Sequence, residues 1–509
     1  MLSPRVLSPR VLSPVTTSLI AALLLSACAV GPNYKRPTAP APAAFKEAAG
    51  WTTAAPADLL DRGPWWTLFG DPVLDDLAGR IEVSNQNIAA AAAAYAQARA
   101  LVRETRAGFF PAITLDGGVT KSGGGGSSGT VISTGGTGTS TGDTAGSTGS
   151  SIASSGNTTR YRATIGASWE PDIWGSIRRS VEQTRGAAEA SAADLAAARL
   201  SAQGELAADY LQLRSLDAEI DLVEATAKSY DRALQITGNR YAAGVSMRTD
   251  VLQAQTQVAT ARGDEADLVR QRGVLEHAIA VLIGTAPADF SIARVKWNPV
   301  VPDIPLELPS TLLERRPDIA GAERRVAAAN AAIGVAIAAY FPSITLSGSV
   351  GQSASSISNL VSGSAFLWSL GASLAQTIFD AGATRARVAE ARAAWQQTVA
   401  QYRQAVLTAL QDVEDQLIGA RQQASEYEFR RQASEAADLT EKLTLNQYLA
   451  GQIAYTDVVT VQATALTARR TLVTAAASRQ ATAVALIQSL GGSWSTTYGT
   501  PRPVTAGPA

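Results

Sequence analysis

The sequence predicts a membrane α+β protein. Four β-strands per chain, each near the length that spans a membrane, are joined to long coiled-coil helices, and the plan is written twice in tandem. Three observations predict this. Segments from the two halves of the 509-residue chain repeat one another. Four short segments alternate apolar and polar residues with period two. Two long stretches space their apolar residues by three or four.

The repeat comes first, because self-similarity on this scale decides the architecture. FFPAITLDGGV at 109–119 parallels YFPSITLSGSV at 340–350, and ATIGASW at 163–169 parallels WSLGASL at 368–374. NRYAAGVSMRTDVLQAQ at 239–255 parallels NQYLAGQIAYTDVVTVQ at 446–462. Each unit reads helix, strand, loop, strand, long helix, turn, helix. The first repeat spans 71–284 and the second 309–492, joined by a linker at 285–308 and followed by a flexible tail at 493–509. The loops differ most. Residues 121–159 are almost entirely Gly, Ser and Thr, too polar to bury the area that would offset ordering, and are expected to be mobile.

The strands are expected at about 112–120, 160–169, 343–351 and 366–375. In the first, Ile113, Leu115 and Val119 share one face and Thr114, Asp116 and Thr120 the other. One apolar and one polar face suits a soluble sandwich or a membrane barrel. Each segment is near the length a spanning strand needs. Aromatics gather at the strand ends (Phe109, Phe110, Trp169, Trp174, Tyr340, Phe341, Phe366, Trp368, Phe379), as in an interfacial girdle. Four strands cannot close a barrel, and lipid tolerates no open edge. Several chains must contribute, and three copies supply 12 strands.

The long helices follow. Leu206, Tyr210, Leu213, Leu216, Ile220, Val223, Ala227, Tyr230 and Leu234 advance by about 3.5 residues per step, the coiled-coil period. The helix from about 176 to 240 would be roughly 95 Å long, and its counterpart runs from 381 to about 448.

Composition narrows the function. With 43 Lys+Arg against 44 Asp+Glu, the chain lacks the basic excess of a nucleic-acid binder. One Cys and one His exclude a disulfide framework, a Cys-based zinc site and a His cluster. Gly123–Gly126 lacks the Lys-Ser/Thr of a phosphate loop. Arg315, Arg316, Asp318 and Glu323, with Glu314, read as an ion-pair cluster, and His277 as a packing residue. No enzyme, cofactor or metal site is expected. Residues 1–27 read as an export signal, with Arg5 and Arg10 before the apolar run Leu19–Leu25. Leu25-Ser26-Ala27-Cys28 resembles a bacterial lipobox, which makes Cys28 the lipidated first residue of an anchored segment at 28–70.

VGPNYKRP at 30–37, PWWTLFGDPVLDDL at 64–77 and LERRPDIAGAERRVAAANAAIGVAIAAYFPSI at 313–344, with the two Tyr-x-x-Gly turns, resemble the TolC-like outer-membrane factors of the NodT/OprM lipoprotein type. The resemblance covers 28 to about 492. It implies a homotrimer in the outer membrane of a Gram-negative bacterium, with four transmembrane β-strands per chain completing one trimeric 12-stranded barrel and a shared helical tunnel through the periplasm. It further implies an exit duct for drugs or other small toxic compounds, docked to a periplasmic adaptor and an inner-membrane transporter of RND type. A protein-secretion duct and a plugged surface scaffold are the alternatives.

The turns are the candidate site. Gly244 and Gly451 end long helices in the left-handed conformation. Thr249-Asp250 and Thr456-Asp457 begin the next. Capping of exposed N–H groups is one role for these Asp residues. A periplasmic aperture of clustered carboxylates is the other, with Asp250, Asp457, Tyr448 and Arg248 as its members. The family's second acid, one turn on, is Thr460 here, and its Arg after the turn Gly is Ile453. The resemblance makes Gly244 and Gly451 the tips that dock the adaptor.

Overall fold

The structure is a computed structural model that describes residues 29–40, 42–47, 64–122, 158–302, 304, 316–361 and 366–492. Cys28, the export signal, the C-terminal tail and nearly all of the Gly/Ser/Thr-rich stretch lie outside the described residues. The elements are α1 (Pro72–Ser84), α2 (Gln86–Ala107), β1 (Ala112–Ser122), β2 (Thr158–Trp169), α3 (Ser176–Ala242) and α4 (Arg248–Leu282), then α5 (Pro317–Ala338), β3 (Ser343–Ala354), β4 (Phe366–Ala375), α6 (Ala383–Leu449) and α7 (Tyr455–Ser489). β1 and β3 run two or three residues past their expected ends, because the ladder persists beyond the apolar pattern that marks them.

The chain gathers into two compact units that cut across the two repeats. One holds the segment through Gly31 with Arg103–Val181 and Gly334–Val388. Its centre is one antiparallel sheet in the order β1-β2-β3-β4. Leu115 faces Ile165, Ile165 faces Val350, and Val350 faces Trp368. Ser168 lies on the opposite face, against Ser347. The apolar set therefore forms one continuous face, and Leu370 on it is 82% exposed. Among the described residues, β1 and β4 each pair along one side only. Below the strands, Trp174 stacks on Phe341 at 4.8 Å and its Nε1 donates to Pro342 O. Val30 N donates to Trp174 O, and the Arg179 guanidinium donates to Val30 O and Gly31 O. Gly31, at φ +99°, passes so close to Gly334 that a Cβ would lie 2.5 Å from the Gly334 Cα.

The second unit holds Pro32–Val102, Glu182–Ile333 and the chain from Ala389 onward. Leu206, Tyr210 and Leu213 of α3 pack with Leu74 and Ile81 of α1 and Ile279 of α4. Tyr402, Val406, Val413 and Leu417 of α6 pack with Ile319 and Val326 of α5. An ion network crosses α3 and α4. Asp217 accepts from Arg214 and Arg272, and Arg272 also pairs with Glu276. The two guanidiniums donate to Ala293 O and Ile292 O, which fixes the segment after α4. Each of these charges has a partner, the condition for taking it out of water. The extended N-terminal segment is tied down by polar contacts as well: Asn330 donates to Pro32 O, and Tyr34 donates to Glu323.

Arg316 pairs with Asp318 and Asp412, and Glu323 with Arg324, so the described members of the expected ion-pair cluster are ion-paired. His277 departs from expectation. It is exposed, because the helix turns Ile279 and Ala280 inward and leaves position 277 on its open side.

Candidate functional site

Both turns of interest lie in the second unit, and the backbone builds them alike. In the first, Gly244 N donates to Tyr241 O and Val245 N to Arg240 O. In the second, Gly451 N donates to Tyr448 O and Gln452 N to Gln447 O. This paired pattern satisfies the last carbonyls of α3 and α6, and it requires a left-handed residue after the helix. Gly244 at φ +72° and Gly451 at φ +75° supply it.

The next helices begin one or two residues earlier than expected. Met247 and Ala454, not a Thr or Asp, are the cap residues of α4 and α7. Asp250 and Asp457 stand at the third helical position, where a carboxylate can reach back to the cap N–H. Asp250 does so: its Oδ2 accepts from Met247 N at 3.2 Å. Asp457 is exposed and makes no side-chain hydrogen bond or ion pair among the described residues. Arg248 is exposed as well.

Tyr448 is buried, 6% exposed, in a cluster with Ala254, Tyr455 and Val458. Its ring lies 5.3 Å from Tyr455 and 4.8 Å from the Arg240 guanidinium, which also donates to Tyr448 O. Its hydroxyl has no hydrogen-bond partner among the described residues. Burial, then the neighbouring Tyr448, Tyr230 and Asp250, pushes the Tyr455 phenol up to about 12. Among the expected residues, the structure thus brings Tyr448 and Asp250 toward the shared core of the tips and leaves Asp457 and Arg248 outward.

Sequence reasoning misses Arg240 and Tyr455. Their signal is present in the repeat itself: Arg240 matches Gln447, and Tyr455 matches Arg248. Matched positions that exchange residue type are where two copies of one turn have acquired different partners.

The outer membrane efflux protein family matches residues 77–285 and 308–492. The pyoverdine export outer membrane protein OpmQ of Pseudomonas aeruginosa is 30% identical over 452 residues, covering 87% of this chain and 90% of its own. The probable outer membrane lipoprotein SilC of Salmonella typhimurium is 26% identical, over 92% of this chain and 95% of its own. The outer-membrane channel OprN superposes with a TM-score of 0.81 at 28% identity, covering 91% of this chain and 99% of its own. The open state of the Neisseria gonorrhoeae MtrE outer membrane channel gives 0.78 at 25% identity, covering 92% and 98%. Two matched segments that span most of the chain, and channels that superpose along its length, place it: the chain belongs to the outer membrane efflux protein family and is an outer-membrane channel component of an efflux system.

Proposed function

We propose that three copies of the chain close one 12-stranded barrel, with β4 of each copy pairing with β1 of the next. The observation that carries this reading is the sheet: one continuous apolar face and, among the described residues, two open edges in each chain. Lipid rewards the face and forbids the edges. The trimer is the passive exit duct of a tripartite system, joined to a periplasmic adaptor and an inner-membrane transporter of RND type. It carries drugs or other small toxic compounds. Cys28 bears the lipid. Two things support that: SilC is named a lipoprotein, and the backbone just beyond Cys28 is held by the Val30–Trp174 hydrogen bond at the foot of the strands.

The tips form the periplasmic aperture. Three Asp457 carboxylates face the axis, repel one another and attract cations. Their exposure and lack of partners among the described residues support this role. Asp250 contributes charge while capping α4, Arg248 offsets it, and Tyr448 holds the tip together from within. The turns at Gly244 and Gly451 dock the adaptor.

Single-channel conductance in a planar bilayer tests the reading. Wild type should give small, cation-selective steps, and Asp457→Ala should enlarge them and weaken the selectivity. A pore that Asp457→Ala leaves unchanged would keep the duct and move the constriction elsewhere. No current from a confirmed trimer would favour a plugged scaffold.

A further inference from the structure

The polar face of the sheet carries a charge pattern for which the tips give no reason. By register, Thr120 faces Arg160, Gly118 faces Arg162 and Asp116 faces Thr164. On the next strand Arg162 faces Ser353 and Thr164 faces Gly351. The rest of that face is Ser, Thr, Gly, Ala and Leu367 among the described residues. Its charges there are Asp116, Arg160 and Arg162, a net +1 per chain.

No described residue neutralises the two arginines. Both are exposed and neither makes an ion pair or hydrogen bond among the described residues. Asp116 is a diagonal neighbour of Arg162, a position a long side chain can reach. Its Oδ2 instead accepts from Thr114 Oγ1 at 3.1 Å. Gly118 and Ser353 flank Arg162 and leave space around it. Lys121 is close in sequence but belongs to the apolar face, since it faces Thr159 and alternates with Thr120.

A guanidinium with free donors is the side chain that best matches carboxylate and phosphate oxygens. A 12-stranded barrel is wider than an eight-stranded one, whose interior side chains fill, and narrower than a porin. Arginines on its inner wall would reach well into the passage. We propose that Arg160 and Arg162 of three chains form a cationic collar inside the barrel that binds small polyanions in transit. This rests on the trimeric duct proposed above. It gives the barrel a sign opposite to that of the Asp457 ring, so charge selection operates twice in one channel.

The test uses the trimer in a planar bilayer, with tripolyphosphate added on the side of the strand hairpins. Wild type should show transient blocks. Arg160→Gln/Arg162→Gln should weaken the block at least about tenfold and shift the reversal potential in a KCl gradient toward potassium. Arg160→Lys/Arg162→Lys should retain most of the block. Lys121→Gln removes a charge from the other face of the same region and should change neither readout. A block that survives in the conducting Gln variant, or that is lost equally in Lys121→Gln, overturns the collar alone. No current from any confirmed trimer overturns the duct reading and the collar with it.

Discussion

The two helix-turn-helix tips share a backbone and differ in what their side chains do. Both end a long helix with the same pair of hydrogen bonds around a left-handed glycine. Yet Tyr241 is 46% exposed where its counterpart Tyr448 is 6% exposed. Arg248 is exposed where Tyr455 is buried, and Arg240 reaches Tyr448 where Gln447 has no such contact among the described residues. Asp250 caps its helix and Asp457 does not. The glycine and its neighbours fix the turn. The residues about one helical turn away decide which side chains of a tip pack and which stay exposed. Duplication supplied two equal turns, and divergence made one of them a core and the other a source of contacts to it.

The largest effect should come from the tyrosine that only one tip buries. Tyr448→Ala removes a ring from the cluster with Ala254, Tyr455 and Val458, and should cost about 3–5 kcal/mol. Tyr241→Ala should stay within about 0.5 kcal/mol. Thermal unfolding and limited proteolysis of the detergent-solubilised trimer would compare them. Tyr448→Phe sharpens the point. It deletes a buried hydroxyl that has no partner among the described residues and should be neutral or stabilising, which separates the ring from its oxygen.

A pH titration reads both tips at once. Burial raises the Tyr455 phenol to about 12, and raises Tyr230 on α3 to about 12 with help from Glu441. An unfolded phenol titrates near 10. The neutral phenols are favoured in the fold, so their contribution is complete below about pH 10 and is lost as pH rises from about 10 to about 12. Each is worth on the order of 3 kcal/mol. Alkaline unfolding in that window should move upward in Tyr455→Phe and in Tyr230→Phe. A shift in only one variant would show that one tip opens before the other.

The glycines should behave alike. A Cβ at Gly244 or Gly451 meets nothing within 4 Å among the described residues, so the cost of Gly→Ala is that of the left-handed backbone, about 1–2 kcal/mol at each. A large difference between the two in thermal unfolding would mean that the turns are not equivalent in the trimer.

Much of this is legible in the sequence. Period-two alternation announces all four strands, because a sheet with one face in lipid must alternate. The spacing of Leu206 through Leu234 announces α3, and Tyr-x-x-Gly announces both turns. The ladder ends are not legible, since Lys121 and Ser122 pair through backbone groups that no side-chain pattern reports. His277 misleads because its apolar neighbours Ile279 and Ala280 face the other way around the helix. Of the site, the Asp pair can be found from sequence. The contact of Arg240 with Tyr448 cannot, because it joins residues 208 positions apart. The caps mislead for a local reason: a Met and an Ala hold positions where Thr or Asp is preferred, and in α4 the carboxylate acts from three residues further on.

The smallest expected change in stability separates the two roles of the acidic pair. Asp250→Ala removes the acceptor that Met247 N uses and an anion from the first turn of α4, at a cost of about 1 kcal/mol. Asp457→Ala removes an anion from the first turn of α7 but no side-chain hydrogen bond, so its cost should be about 0.3 kcal/mol. Conductance should rank them the other way, with Asp457→Ala changing selectivity more than Asp250→Ala. Measuring both quantities on both variants makes the comparison strict. If the variants lose equal stability and change the current equally, the two tips are one device used twice. If the ranks cross, the repeat has split capping and charge between its copies.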